Sequence, residues 1–398
     1  MRIVYIYRSL AMKGGVERIL VEKANRWAAE PGNRVAFITY EQGDHPLAYP
    51  LDSRVEWKDL NVRVFTSYRY RGVKRILTKV SLQQRLVRDI AQEVSGRQPD
   101  IVVCTDVSKY DIRGAVRARC GKVVVEAHNS TANMDFDIRQ EHGLARLLSQ
   151  LKKRNLMRET RHADRVVALT HRDAAQWQRY ASTCVIPNML TSVASPTSPA
   201  TPAASPTPPT SLSPATTVVD GGRIVSAGRL NIQKGFSLLL DAWKRVADKH
   251  PAWHLDIYGD GEDREMLERR IAGEQIPNVR LCHAVADIRS VYEQSDFYVM
   301  SSVYESFGLV LTEAMSCGRP CVAFDCPYGP GEIIHDGEDG LLARAADVTD
   351  LADKMCRMID DAPMRRRMGQ KAHDNVRRFL PERIFPLWQS LFTQLSEE

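Results

Sequence analysis

Two sets of short, apolar, β-branched runs, parted by longer amphipathic stretches, constrain the fold of this chain more than any other feature. The first set is RIVYIY, RVAFITY, DIVVCT, KVVVEA and DRVVAL; the second is RIVSAG, WHLDIYG, VRLCHA, FYVM and PCVAF. Between them lie stretches such as GVERILVEKANRWAAE, FSLLLDAWKRVADKH and EDREMLERRIAG. A run that is apolar throughout suits a strand buried on both faces, and a helix between two such strands returns the chain so that they pair in parallel. The expected class is α/β, with two Rossmann-like domains facing a central cleft and ligands held beyond the carboxyl ends of the strands.

Residues 191–217, TSVASPTSPATPAASPTPPTSLSPATT, separate the two sets. They carry no charge and one Leu, so they build no core and read as a linker. This divides the 398 residues into a domain over 1–190, the linker, a second domain over 218–380, and a C-terminal helix over 381–398 that can cross back onto the first domain. Charge follows the same division. Residues 1–190 hold 33 Lys and Arg against 20 Asp and Glu, a net of +13, while the remainder is net −7. A basic first half suits an anionic surface or substrate. The eight Cys form no CxxC and complete no zinc pattern, so they read as reduced thiols. No run reaches the roughly 18 apolar residues of a membrane span. The start, MRIVYIYRSL, reads as a buried strand rather than a signal peptide, which points to the cytoplasm.

The chemistry concentrates in the second half. In SSVYESFGLVLTEAMSCG, Glu305 follows the run FYVM, Gly308 permits close backbone approach, and a helix starts near Leu309. The free amides of Leu309 and Val310 and the helix dipole favour a phosphate there. Glu313 lies in the first turns, where its carboxylate can accept sugar hydroxyls. On spacing alone, the simpler reading of that Glu is that it offsets the dipole. In SAGRLNIQKGF, Arg229 and Lys234 lie in a loop between a strand and a helix, flanked by Gly228 and Gly235, and can converge on a diphosphate. The GxG at Gly259 and Gly261 reads as a tight turn.

Together these motifs resemble the retaining glycosyltransferases of family 4, whose fold is called GT-B. Glu305 and Glu313 match that family's pair of Glu separated by seven residues. GRLNIQKG matches its basic phosphate loop, and GDGEDREMLE and GPGEIIHDGEDGLL match further segments in order. The resemblance extends more loosely to KGGVERIL and EAHNS in the first half. It implies transfer of a sugar from a nucleotide-sugar donor, with retention at the anomeric carbon. No DxD-like acidic cluster offers a divalent-metal site, so neither metal nor other cofactor is expected. By position, Arg229 and Lys234 would neutralise the diphosphate, Glu313 would bind the ribose and Glu305 the donor sugar. Gly308, Leu309 and Val310 would contact phosphate or sugar through their backbone. Gly14 and Gly15 would let the first domain approach the donor, and His128 matches a histidine near the reacting centre. Departures are Ala284, where many relatives have Gly, and the separation of Glu126 from His128 in EAHN.

The first half would hold the acceptor. Residues 68–88, YRYRGVKRILTKVSLQQRLVR, carry seven cations and no acid, with Val73, Ile76, Leu77, Val80 and Val87 roughly on one helical face. Such a helix either meets an anionic membrane surface or packs on the sheet with a solvated basic face. A saccharide linked to polyprenyl pyrophosphate at the inner membrane face would suit the first alternative. No nucleic-acid motif accompanies the charge, and YRSLAMKGG lacks the GxGxxG of a dinucleotide site. UDP-sugars are the first expected donors and GDP-sugars the second. The alternatives are a GT-B nucleotide-sugar epimerase and a non-catalytic sugar-nucleotide binding protein.

Overall fold

The computed structural model describes residues 1–190 and 221–398; the segment read as a linker lies outside them. The chain divides into two compact units, Met1–Thr191 with Leu380–Glu398 and Ser192–Phe379.

Among the described residues, the first unit has seven strands: β1 (Arg2–Ile6), β2 (Arg34–Thr39), β3 (Val55–Asp59), β4 (Ile101–Thr105), β5 (Lys122–Ala127), β6 (Arg165–Ala168) and β7 (Thr183–Val185). All pair in parallel, in the order β3-β2-β1-β4-β5-β6-β7. Helices α1 (Gly15–Ala29), α2 (Gly72–Arg97), α3 (Lys109–Ala118), α4 (Thr131–Gln140), α5 (Gly143–Thr160) and α6 (His171–Trp177) connect them. The register sets Val4 between Ala36 and Val102, all three buried. Central strands of this kind need apolar residues on both faces, as the uninterrupted runs require.

The second unit repeats the plan with β8 (Arg223–Ala227), β9 (His254–Tyr258), β10 (Val279–Cys282), β11 (Phe297–Met300), β12 (Cys321–Asp325) and β13 (Gly340–Arg344). The order is β10-β9-β8-β11-β12-β13, again all parallel. Its helices are α7 (Phe236–Lys249), α8 (Arg264–Gly273), α9 (Ile288–Glu293), α10 (Leu309–Ser316), α11 (Pro330–Ile333), α12 (Val348–Asp360) and α13 (Ala362–Val376). Their apolar faces meet the sheet in a core that includes Trp243, Phe297, Phe324 and Met355. In each sheet the two strands at the centre of the order, β1 with β4 and β8 with β11, send their connections to opposite sides. That leaves a crevice at their carboxyl ends.

Three strands lie outside the runs read from the sequence, and all three are sheet edges: β3, β7 and β13, the last an apolar GLLAR. β3 buries Val55 but exposes Glu56, Trp57 and Lys58, because an edge strand meets the core on one side only.

The last helix, α14 (Pro381–Glu397), belongs to the first unit. It packs on α1 through rings: Trp27 stacks on Phe392 at 5.0 Å and meets Phe385 at 4.7 Å. Phe392 is fully buried. Phe392→Ala should therefore cost about 3–5 kcal/mol, the range for deleting a buried phenyl ring. Denaturant titration followed by tryptophan fluorescence measures this, and a loss under about 1 kcal/mol would contradict the packing described.

Candidate active site

In the second unit, five loops at the carboxyl ends of the strands are stitched to one another. The loop after β8 is pinned on both sides of Arg229: Gly228 N–H donates to the Tyr258 carbonyl at 3.0 Å and Leu230 N–H to that of Asp260 at 2.9 Å. The Arg229 side chain is exposed and makes no hydrogen bond or ion pair among the described residues. The GxG does more than form a turn. A Cβ on Gly259 would lie 1.9 Å from the Gly228 carbonyl oxygen, and one on Gly261 would lie 2.2 Å from that of Leu230. Both glycines therefore let the loop after β9 press against the basic loop. Asp260 in turn accepts the Ala284 N–H at 3.0 Å and contacts His283 Nδ1 at 2.7 Å. Those two donors hold its carboxyl below the ordinary range.

The basic loop also meets the loop after β11. Ser301 Oγ donates to the Lys234 carbonyl at 2.8 Å, and Val303 N–H donates to that of Gln233 at 2.9 Å. Gly235, at φ +61°, caps α7, and a Cβ there would strike the Ser301 carbonyl oxygen at 2.2 Å. This close approach brings Lys234 Nζ to within 2.5 Å of Glu305 Oε1, which also accepts from Ser302 Oγ at 2.8 Å. The two side chains are 17% and 8% exposed. Sequence reasoning gave them separate ligand contacts; in this structure each is the other's partner. Behind Glu305 lies the loop after β12, through a bridge to Tyr328.

Gly308, at φ +106°, is the N-cap of α10, so Leu309 and Val310 occupy its first two positions. Their amides have no acceptor within the helix. Glu313, one turn further on, is 5% exposed and adds its charge to the surroundings of the buried Tyr292 hydroxyl. Burial and then Glu313 push that hydroxyl well above its usual range.

The other predicted residues belong to the first unit. Gly14 is the N-cap of α1, followed by Gly15 at the first helical position. The Glu17 carboxylate folds back over Gly14, where a Cβ would meet its Oε2 at 2.2 Å. Tyr7 donates to Glu17 Oε1 at 3.1 Å. His128 follows β5 and its side chain is 2% exposed, so it is not an ordinary loop histidine. Its Nε2 lies 2.8 Å from Glu126 Oε2, and Lys23 Nζ donates to the same oxygen. The separation in EAHN does not prevent this contact, because residues two apart at the end of a strand share a face.

Thus one unit holds Arg229, Lys234, Glu305, Glu313 and the Gly308–Val310 turn, with Lys234 and Glu305 in direct contact, and the other holds Gly14, Gly15 and His128. Sequence reasoning missed Tyr7, Glu17, Lys23 and Glu126 as parts of the latter. Two signals were available: a Lys inside the apolar face of VEKANRW, and the acid two positions before His128. Among the described residues, no group of three or more His, Cys, Asp or Glu converges as a metal site.

Two family models match the chain, "Glycosyltransferase Family 4" over residues 13–190 and "Glycosyl transferases group 1" over 216–375. The chain belongs to the family-4 glycosyltransferases and has the GT-B fold. It is 24% identical to an uncharacterized glycosyltransferase of Haemophilus influenzae over 98% of this chain and 99% of that protein. An exopolysaccharide phosphotransferase of Streptomyces coelicolor is 36% identical over 39% of this chain, but only 17% of its own length is covered. The amylovoran biosynthesis glycosyltransferase AmsD of Erwinia amylovora is 33% identical over 41% of this chain and 45% of its own. Among solved structures, sucrose-phosphate synthase of Thermosynechococcus elongatus superposes with a TM-score of 0.76 at 18% identity, covering 99% of this chain and 98% of that one. A TarM variant of S. aureus, solved with fondaparinux, α-GlcNAc-glycerol and UDP, gives 0.72 at 14% identity, covering 98% and 99%. HepE of Anabaena, solved with UDP and glucose, gives 0.68 at 19% identity, covering both chains fully.

The Lys234–Glu305 pair carries a stability consequence. Lys234→Met leaves a largely buried carboxylate without its cation and should cost about 2 kcal/mol, below the range for fully buried pairs because Lys234 keeps some solvent. Adding Glu305→Gln should restore most of the loss. Chemical denaturation of both variants checks this; an equal or greater loss in the double variant would show that the two side chains are not energetically paired.

Proposed function

We propose that this protein is a retaining, metal-independent glycosyltransferase. It moves a sugar from a nucleotide-sugar donor, UDP-sugar before GDP-sugar, to a lipid-linked saccharide acceptor in cell-surface glycan assembly. The observation that carries this reading is the contact of Lys234 with Glu305, made between the loop that also carries the exposed Arg229 and the loop that leads into the amino end of α10. A departing nucleoside diphosphate gains negative charge, and two cations with a helix dipole stabilise that charge where it forms. On donor binding Lys234 would turn from Glu305 to phosphate, freeing Glu305 to accept hydroxyls of the sugar. Glu313 would meet the ribose, and His128 would lie near the reacting carbon. The UDP bound by TarM and HepE supports the choice of donor, and the name of AmsD supports polysaccharide assembly. Turnover of a UDP-sugar with a lipid-linked acceptor, followed by nucleoside diphosphate release and anomeric proton NMR, tests the assignment. Retention of configuration and activity after exhaustive EDTA treatment are expected. Inversion, or loss restored by Mn²⁺, would overturn the corresponding part. Lys234→Ala should lower turnover at least about tenfold, since a charge-assisted contact to the leaving group is worth about 1.4 kcal/mol or more.

The acceptor's lipid implies a membrane partner, and we infer that the first unit docks on an anionic bilayer from the cytoplasmic side. No helix among the described residues is long and apolar enough to cross a membrane. α2, with 26 residues, spans about 39 Å, whereas the five-residue β4 that it feeds spans about 17 Å. Only its second half, Leu86 to Val94, is buried. The overhanging half leaves Val73, Ile76, Leu77 and Val80 at 45–70% exposure among Arg71, Lys74, Arg75 and Lys79. This disfavours the packed-helix alternative. α5 repeats the device at the same spacing, with Leu144, Leu147, Leu148 and Leu151 at 45–70% exposure and Arg146, Lys152 and Arg154 nearby. Two apolar rows framed by cations complement acyl chains beneath anionic headgroups. Changing Ile76, Leu77, Leu147 and Leu148 to Ser should weaken co-sedimentation with anionic vesicles by at least about tenfold, following the lost apolar burial. Raised salt should weaken the wild type. Equal binding of wild type and variant, or equal binding to neutral vesicles, would reject this docking mode.

A further inference from the structure

The first unit contains a buried ionic array of which the resemblance assigns only His128. Lys23 on α1, Glu126 at the end of β5 and His128 just beyond it have side chains no more than 2% exposed. Glu126 Oε2 receives both others: the Lys23 ammonium, and His128 Nε2 at 2.8 Å. The far side of the ammonium rests on the Trp388 ring of α14, 4.1 Å from its centroid. Burial alone would push the Glu126 carboxyl up, but Lys23 and His128 outweigh it and hold the group below the ordinary range.

We propose that Glu126 is a positioning residue for His128, and that Lys23, seated against Trp388 of the C-terminal helix, keeps Glu126 charged for that task. An ionised carboxylate only accepts hydrogen bonds. The hydrogen of the neutral imidazole must therefore sit on Nε2, and Nδ1 becomes the ring's acceptor. Nδ1 has no hydrogen-bond partner among the described residues. The ring thus presents one defined acceptor, in one tautomer and one orientation, at the carboxyl end of β5. This is the device by which a buried acid usually fixes a working histidine. It also gives α14 a part in the site, because the last helix in the sequence covers the cation on which the carboxylate depends.

The inference rests on the reading that His128 works in sugar transfer, and the experiment separates the two. Removing one member of a buried pair strands a charge, so the test uses the neutral pair Lys23→Met with Glu126→Gln. The full-length protein is labelled with ¹⁵N-histidine, and His128→Ala assigns the resonance. In the wild type, His128 should show the Nε2–H tautomer while it is neutral. In the folded double variant the tautomers should mix, and kcat should fall at least about tenfold with the donor KM changed less than about twofold. A wild-type Nδ1–H tautomer would overturn the proposal without any variant. So would an unchanged kcat in the double variant when His128→Ala has lost activity. Full activity in His128→Ala would overturn both the proposal and the role of His128 on which it stands.

Discussion

Parallel pairing with both faces covered is the constraint on which the rest of this structure depends. A sheet built this way has no free face, so a ligand can be met only beyond the strand ends. The strand order then selects the place. β8 and β11 are neighbours whose connections leave to opposite sides, and Arg229, Lys234 and Glu305 all lie in the loops that follow those two strands. In the first unit Gly14 and Gly15 follow β1, and His128 follows β5. The chemistry of both units is therefore confined to loop ends by the same packing requirement that makes their strands apolar.

Each unit has a Lys–Glu pair among its candidate site residues, and these two pairs differ in exposure. Lys234 and Glu305 keep 17% and 8% of their side-chain surface. Lys23 and Glu126 keep 2% and 1%, under a tryptophan ring and beside a histidine. A pair that retains solvent can exchange its partner for a ligand at modest cost. A pair sealed from water cannot, because each charge would be stranded in a low-dielectric surrounding. The first suits a group that binds a substrate, and the second suits a fixed support. Glycine makes the first pair possible: Gly235, Gly259 and Gly261 each occupy a position where a Cβ would collide with a carbonyl oxygen of the adjoining loop.

Central strands and most helices were legible in the sequence because burial on two faces, or along one stripe, leaves a periodic apolar signal. The start of α10 at Leu309 and of α7 at Phe236 followed from a glycine before an apolar run, and the structure has both glycines as left-handed N-caps. Of the edge strands, β10 was legible as VRLCHA, but β3, β7 and β13 were not. Glu56, Trp57 and Lys58 of β3 carry no alternation to read, since a strand with one neighbour can face water. The candidate residues of the second unit were found by type and spacing. Glu126 was noted only for its separation from His128 and Lys23 was passed over, because neither a Glu ending a strand nor a Lys within a helix announces that the other will be its partner.

The sequence by itself determined the kind of layer each segment would join, the family, and a set of polar residues placed at strand-to-helix turns. These are local properties, set by hydropathy, glycine and the order of neighbouring residues. Only the tertiary structure decided which charges meet. Lys234 finds Glu305 across 71 residues, and Lys23 finds Glu126 across 103. It also decided that α14 returns to cover Lys23, and that the first halves of α2 and α5 keep their apolar rows exposed. The reason is common to all of these. Strand order and helix overhang fix which distant segments touch, and a single stretch of sequence carries no record of the neighbour that the sheet will give it.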